Sequence, residues 1–179
     1  NKTEGDKVGW EEIIYSPLPE TETEVRAIAK LFNVQSEPPD ILLGINASES
    51  RLRQTTLGDY RYLHFATHAD LPGNVQGINE PFLLLGQIDN KDGEGFLTLS
   101  KVYDLRLNAD MVVLSACSRG RGEIIEGEGV ANFANAFQIA GSRSVVVSLW
   151  NVASQETVNY MNIFYTNLKE GKSKTEAMK

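Results

Sequence analysis

Two segments, Tyr62-Leu63-His64-Phe65-Ala66-Thr67-His68 and Met111-Val112-Val113-Leu114-Ser115-Ala116-Cys117, read as buried strands, the second almost wholly apolar. Runs of this kind suit strands covered on both faces, as in parallel sheets flanked by helices. Each ends on a residue of catalytic type, and Cys117 is the only cysteine in the chain. In open α/β sheets, ligands collect outside the carboxyl ends of the strands, so a histidine and a cysteine ending two strands can meet there. A thiol beside an imidazole is the minimal equipment for nucleophilic catalysis.

The rest of the chain alternates strand and helix. Trp10 to Tyr15 reads as a strand, stopped by Ser16-Pro17-Leu18-Pro19. Thr21 or Thr23 then caps a helix carrying Val25, Ile28, Ala29 and Phe32 at helical spacing, with Glu20, Glu22 and Glu24 near its positive end. Ile41 to Gly44 reads as a short strand, and Ser48 opens a second helix. The polar stretch from Ala69 to Pro81 reads as a loop directly after His68. Residues 82–87 and 95–99 flank Asp89-Asn90-Lys91-Asp92-Gly93 and predict a β-hairpin inserted between parallel strands. Ser100 caps a short helix, 118–129 is a glycine-bearing loop, and Phe133, Ala134, Phe137 and Ala140 mark a helix stopped by Gly141. A strand at 144–149, a helix from Ser154 to Gly171 and a further helix at 172–179 complete the chain. The pattern predicts an α/β fold: a doubly wound, mostly parallel sheet flanked by helices, with the hairpin inserted after the His68 loop.

At 179 residues the chain suits a single domain over 1–179. It opens at Asn1 rather than Met, which fits a piece of a longer chain. One cysteine cannot form an internal disulfide, which points to a reducing, cytoplasmic setting. A net charge of -7 argues against direct nucleic-acid binding. No apolar run approaches the roughly 18 residues of a membrane span.

Alternation along the first strand puts Tyr62, His64 and Ala66 on one face and Leu63, Phe65 and Thr67 on the other. His64 is thereby held inside the sheet as a packed histidine, whereas His68, where the strand gives way to loop, is placed to face a cleft. A histidine beside Cys117 would take its proton or stabilise its thiolate. The oxyanion formed on attack needs donors, and the amides of Cys117 and of the residue after His68, Ala69, are the candidates. Spacing alone serves a buried inert thiol equally well. Other chemistries fit less well. A phosphatase loop would need Arg six residues after Cys117, where Glu123 stands, and the histidines and cysteine are too few for a closed zinc site. No metal or other cofactor is expected.

Leu63-His64-Phe65-Ala66-Thr67-His68, Leu114-Ser115-Ala116-Cys117, Gly127-Glu128-Gly129-Val130 and Val147-Ser148-Leu149-Trp150-Asn151-Val152 together resemble the CHAT domain family, caspase-like peptidases related to caspases and separases. The resemblance runs from about residue 10 to the last residue. It implies a caspase-like fold, His68 as catalytic histidine, Cys117 as nucleophile, and metal-free endopeptidase activity on a protein or peptide substrate. It also implies a helical-repeat segment or regulatory partner protein.

Two departures stand out. Ala69 occupies a position where the family commonly has glycine, which tolerates positive φ more readily. Family members usually continue to a further strand, whereas this sequence stops at Lys179. Ala69 keeps open an alternative, a catalytically weak or inactive module serving as a signalling or interaction platform. For substrate binding, Arg119 and Arg121 would suit an acidic side chain, and Asp70, Glu123, Glu126 and Glu128 a basic one. The surplus of acid favours a basic residue before the scissile bond, although loop charges of this kind are more often simply solvated.

Overall fold

The computed structural model describes residues 15–34, 37–86, 95–118, 128–148 and 155–179. These form strands β1 (Tyr62–Asp70), β2 (Phe82–Leu84), β3 (Phe96–Thr98), β4 (Met111–Ser118) and β5 (Val145–Val147). The helices are α1 (Pro19–Leu31), α2 (Glu49–Gln54), α3 (Leu99–Tyr103), α4 (Glu128–Ile139), α5 (Gln155–Lys169) and α6 (Lys174–Ala177). The strands make one mixed sheet in the order β3-β2-β1-β4-β5. The two apolar runs are neighbours: β1 pairs with β4 in parallel from Tyr62↔Met111 to Ala69↔Ser118, and β5 continues the parallel set beside β4.

Helices cover both faces because alternate residues of the central strands are apolar on both sides. Leu63, Phe65, Val112 and Leu114 pack with Leu52, Val102, Phe133 and Phe137, from α2, α3 and α4. Tyr62, Met111 and Val113 pack with Ile28, Met161, Phe164, Tyr165 and Ala177, from α1, α5 and α6. Met111, Val112 and Val113 have no exposed surface, and burial of such side chains stabilises by about 1.5–3 kcal/mol each. Gly141, at φ +115°, ends α4 where the Leu107 backbone comes too close for any Cβ.

Several sequence expectations need correction. The hairpin does fall between the parallel strands β1 and β4 in the chain, and in space it lies at the sheet edge, where β2 pairs antiparallel with the last residues of β1 through Ala69↔Leu83 and Asp70↔Phe82. The long apolar runs match each other along their length, and the short hairpin only extends the end of one. β1 itself continues through Ala69 to Asp70, so no loop follows His68 directly, because β2 supplies ladder partners for two more residues. Residues 41–44 form no strand; a single 3-10 turn at Gly44–Asn46 follows, leaving only an isolated bridge from Ser48 to Gly86.

Helix α1 starts earlier than expected, after Leu18 rather than at Thr21 or Thr23, with proline in its first turn where a missing N–H costs nothing. Thr98, not Ser100, stands at the N-cap of α3. Ser48 does cap α2, its hydroxyl accepting from the Arg51 amide at 3.3 Å. The expected strand at 10–14, the hairpin turn at 89–93 and the loop at 119–127 lie outside the described residues.

His64 is a packed histidine with both ring nitrogens engaged. Its Nε2–H donates to Glu24 Oε1 at 2.8 Å, and its Nδ1 accepts from the Tyr165 hydroxyl at 3.0 Å. Burial, reinforced by Glu24, pushes the Tyr165 phenol well above its ordinary range, so it stays protonated and able to donate. Glu24, read from the sequence as one of three carboxylates near the positive end of the helix, is 2% exposed. The three residues tie α1 and α5 to β1. His64→Ala should therefore strand a buried carboxylate and cost about 3–5 kcal/mol in urea unfolding. A loss below about 1 kcal/mol would show that the network does not hold the helices to the sheet.

Candidate active site

The sheet brings the two chemically distinctive strand ends together. His68 of β1 and Cys117 of β4 are direct register partners, on parallel strands that lie about 4.8 Å apart. The side chain of Cys117 is outside the described part of the structure. His68 is 6% exposed and lies on the same face as His64 and Ala66, two residues further along from Ala66.

The surroundings of His68 fix its tautomer. Its Nε2 lies 2.9 Å from the Ser16 carbonyl oxygen, which can only accept, so the neutral ring carries its proton on Nε2. Nδ1 is then a lone pair, and it is buried with no hydrogen-bond partner among the described residues. An imidazole held in this way is equipped to take a proton at Nδ1. His64, on the same strand and face, has no such capacity because both of its nitrogens are occupied.

Tyr15 leans on the His68 ring, with centroids 5.1 Å apart and planes at 45°. Its hydroxyl donates to Asp70 Oδ2 at 2.9 Å. The other oxygen, Asp70 Oδ1, accepts from the Leu71 amide at 2.8 Å and from Asn74 Nδ2 at 2.6 Å. Asp70 is therefore not an open cleft charge but a buried, 6% exposed member of β1 with both oxygens occupied. Beside it, Val75, Phe82 and Phe96 form a small apolar cluster with Tyr15 and Ile78, seating the stretch after β1 against the sheet. The Thr67 hydroxyl, on the opposite face, donates to the Leu84 carbonyl.

Of the other residues singled out in the sequence, Ala69 is 8% exposed and lies within β1, with β2 on one side and β4 on the other. It does not take a positive φ; among the described non-glycine residues only Asn33 does. Arg119, Arg121, Glu123 and Glu126 fall outside the described residues, and Glu128 starts α4 with its side chain undescribed.

Sequence reading overlooked Tyr15, the Ser16 carbonyl, Glu24 and Ser115. Glu24 carried a signal, since it stands four residues before Ile28 on the apolar stripe of α1. Ser115 did too, as a hydroxyl in a buried strand two residues before Cys117. A backbone carbonyl such as that of Ser16 carries none. Ser115 Oγ is buried without a hydrogen-bond partner among the described residues. Ser115→Ala should thus leave stability unchanged or raise it by about 1 kcal/mol in urea unfolding, because the orphaned hydroxyl costs desolvation. Destabilisation beyond about 1 kcal/mol would show that the hydroxyl is bonded in solution.

The model of the CHAT domain family matches residues 3–179. Human tetratricopeptide repeat protein 28 is similar to this chain, at 26% identity over 194 aligned positions covering 92% of the chain. The chain spans 8% of the length of that relative. With a family match over nearly its whole length, the chain belongs to the CHAT domain family.

Proposed function

We propose that this chain is a cysteine endopeptidase of caspase-like, doubly wound fold, with residues 1–179 as a single peptidase domain acting on a protein or peptide substrate. The observation that carries the reading is the register pairing of His68 with Cys117, combined with a His68 ring whose Nε2–H is bonded and whose Nδ1 has no partner among the described residues.

In this reading the Cys117 thiol gives its proton to His68 Nδ1, and the thiolate attacks the scissile carbonyl carbon. Amides of Cys117 and Ala69 stabilise the oxyanion. The imidazolium then protonates the departing amine as the C–N bond breaks, leaving a thioester on Cys117. His68 next takes a proton from water, hydroxide adds to the thioester, and the acid leaves as the thiol is restored. The Ala69 amide lies between two neighbouring strands, so its share in this step requires the end of β1 to loosen from a neighbour. Substrate selection falls to charges near the site, Arg119 and Glu128 among them, with a basic residue favoured before the scissile bond. No metal or cofactor enters the scheme, and the setting is cytoplasmic; no described helix is long and apolar enough to cross a membrane.

A second reading is favoured by Ala69 and by the similarity to a tetratricopeptide repeat protein. It makes the domain a weakly active or inactive module that engages a helical-repeat segment or regulatory partner. Peptidyl electrophiles with basic, acidic or apolar residues before the reactive group separate the two readings. At least one should label Cys117, with basic types favoured, and His68→Ala should slow labelling by about 10²–10⁴-fold. Absence of labelling by every probe, including in the full-length protein, supports the platform reading instead.

A further inference from the structure

We infer that Tyr15 and Asp70 are positioning residues that hold His68 in its working tautomer, an inference that rests on the dyad reading above. The Ser16 carbonyl selects the Nε2–H form only while it stays opposite the ring, 2.9 Å from Nε2. Ser16 belongs to the irregular stretch between residue 15 and α1, and Pro17, which follows it, has no N–H to contribute to a ladder. The neighbouring side chain makes one further connection back to the sheet. Tyr15 touches the ring whose tautomer Ser16 selects, and its hydroxyl reaches 55 residues along the chain to Asp70 Oδ2 at 2.9 Å.

Asp70 stands two residues after His68 on the same strand, about 6.6 Å along it, and alternation puts both on the same face. The clamp therefore closes on the strand that carries the histidine, so strand, carbonyl and ring are referred to one frame. Asp70 is itself immobilised by the Leu71 amide and the Asn74 side chain, and is almost wholly buried. Leu71 and Asn74 both serve Oδ1, so the Tyr15 hydroxyl satisfies the second oxygen, Oδ2, and in doing so ties Tyr15 to the strand. What the bond adds is the position of Tyr15 and, through it, of Ser16.

The test is made on the full chain with two readouts: the imidazole ¹⁵N spectrum, which reports the tautomer, and the rate at which a peptidyl electrophile labels Cys117. His68→Gln distinguishes the two histidine signals. Wild-type His68 should show a single Nε2–H form when neutral. Tyr15→Phe, which keeps the ring and removes the hydroxyl, should populate both tautomers and slow labelling by about tenfold. Asp70→Ala should do the same, and Asp70→Asn, which retains an acceptor, should restore part of the loss.

If Asp70→Ala does not fold, Tyr15→Phe decides alone. A Tyr15→Phe protein that keeps one His68 tautomer and labels at the wild-type rate would overturn the inference, even if its stability fell. If no probe labels the wild type yet the tautomer changes in Tyr15→Phe, the clamp stands and the peptidase reading falls.

Discussion

The parallel register of β1 against β4 is the constraint on which the remaining structure depends. Slipping β1 by a single residue would turn His64, His68 and Asp70 into the apolar layer under α2, α3 and α4 and break the hydrogen bonds of His64 to Glu24 and Tyr165. The same register that satisfies the core sets position 68 directly beside position 117. Two layers of helices, one against each face, keep it there.

Along the α1 and α5 side of the sheet the polar groups fall at regular intervals, and their hydrogen bonding separates structure from chemistry. His64 gives one nitrogen to Glu24 and the other to Tyr165, and so acts as a staple between layers. His68, two same-face positions further on, gives one nitrogen to the Ser16 carbonyl, and the other has no partner among the described residues. Burial makes an unpaired acceptor costly, of order 1–3 kcal/mol, and in the proposed dyad the Cys117 thiol is the donor that would relieve it. That contrast distinguishes the two histidines more firmly than their place in the sequence does.

The central strands were legible because their composition is one-sided. A buried parallel strand must be apolar on both faces, and few other structures call for that pattern. Alternation placed His64 and His68 on one face, but the strand end that set His68 apart in the sequence lies two residues further on; what separates the two rings is their hydrogen bonding, which the sequence does not show. The short pieces were less legible. Residues 41–44 look like a strand but have only the lone Ser48–Gly86 bridge nearby, and pairing, not propensity, decides such segments. β1 ran two residues past His68 because a hairpin distant in sequence offered it partners, which no local signal encodes. Asp70 read as a loop charge by the same mistake. Glu24 shows the reverse case, a charged residue on an apolar stripe whose partner lies 40 residues away.

Whether His68 serves Cys117 is most directly tested on the cysteine itself, which is the only one in the chain. The measurement is the rate of Cys117 alkylation by iodoacetamide at pH 7, in the wild type and in His68→Ala. A free thiol is only a few per cent ionised there, so a thiolate supported by Nδ1 should react faster, less the lower nucleophilicity of a more acidic thiol. The account predicts that His68→Ala slows alkylation by about tenfold. Equal rates in the two folded proteins would contradict it.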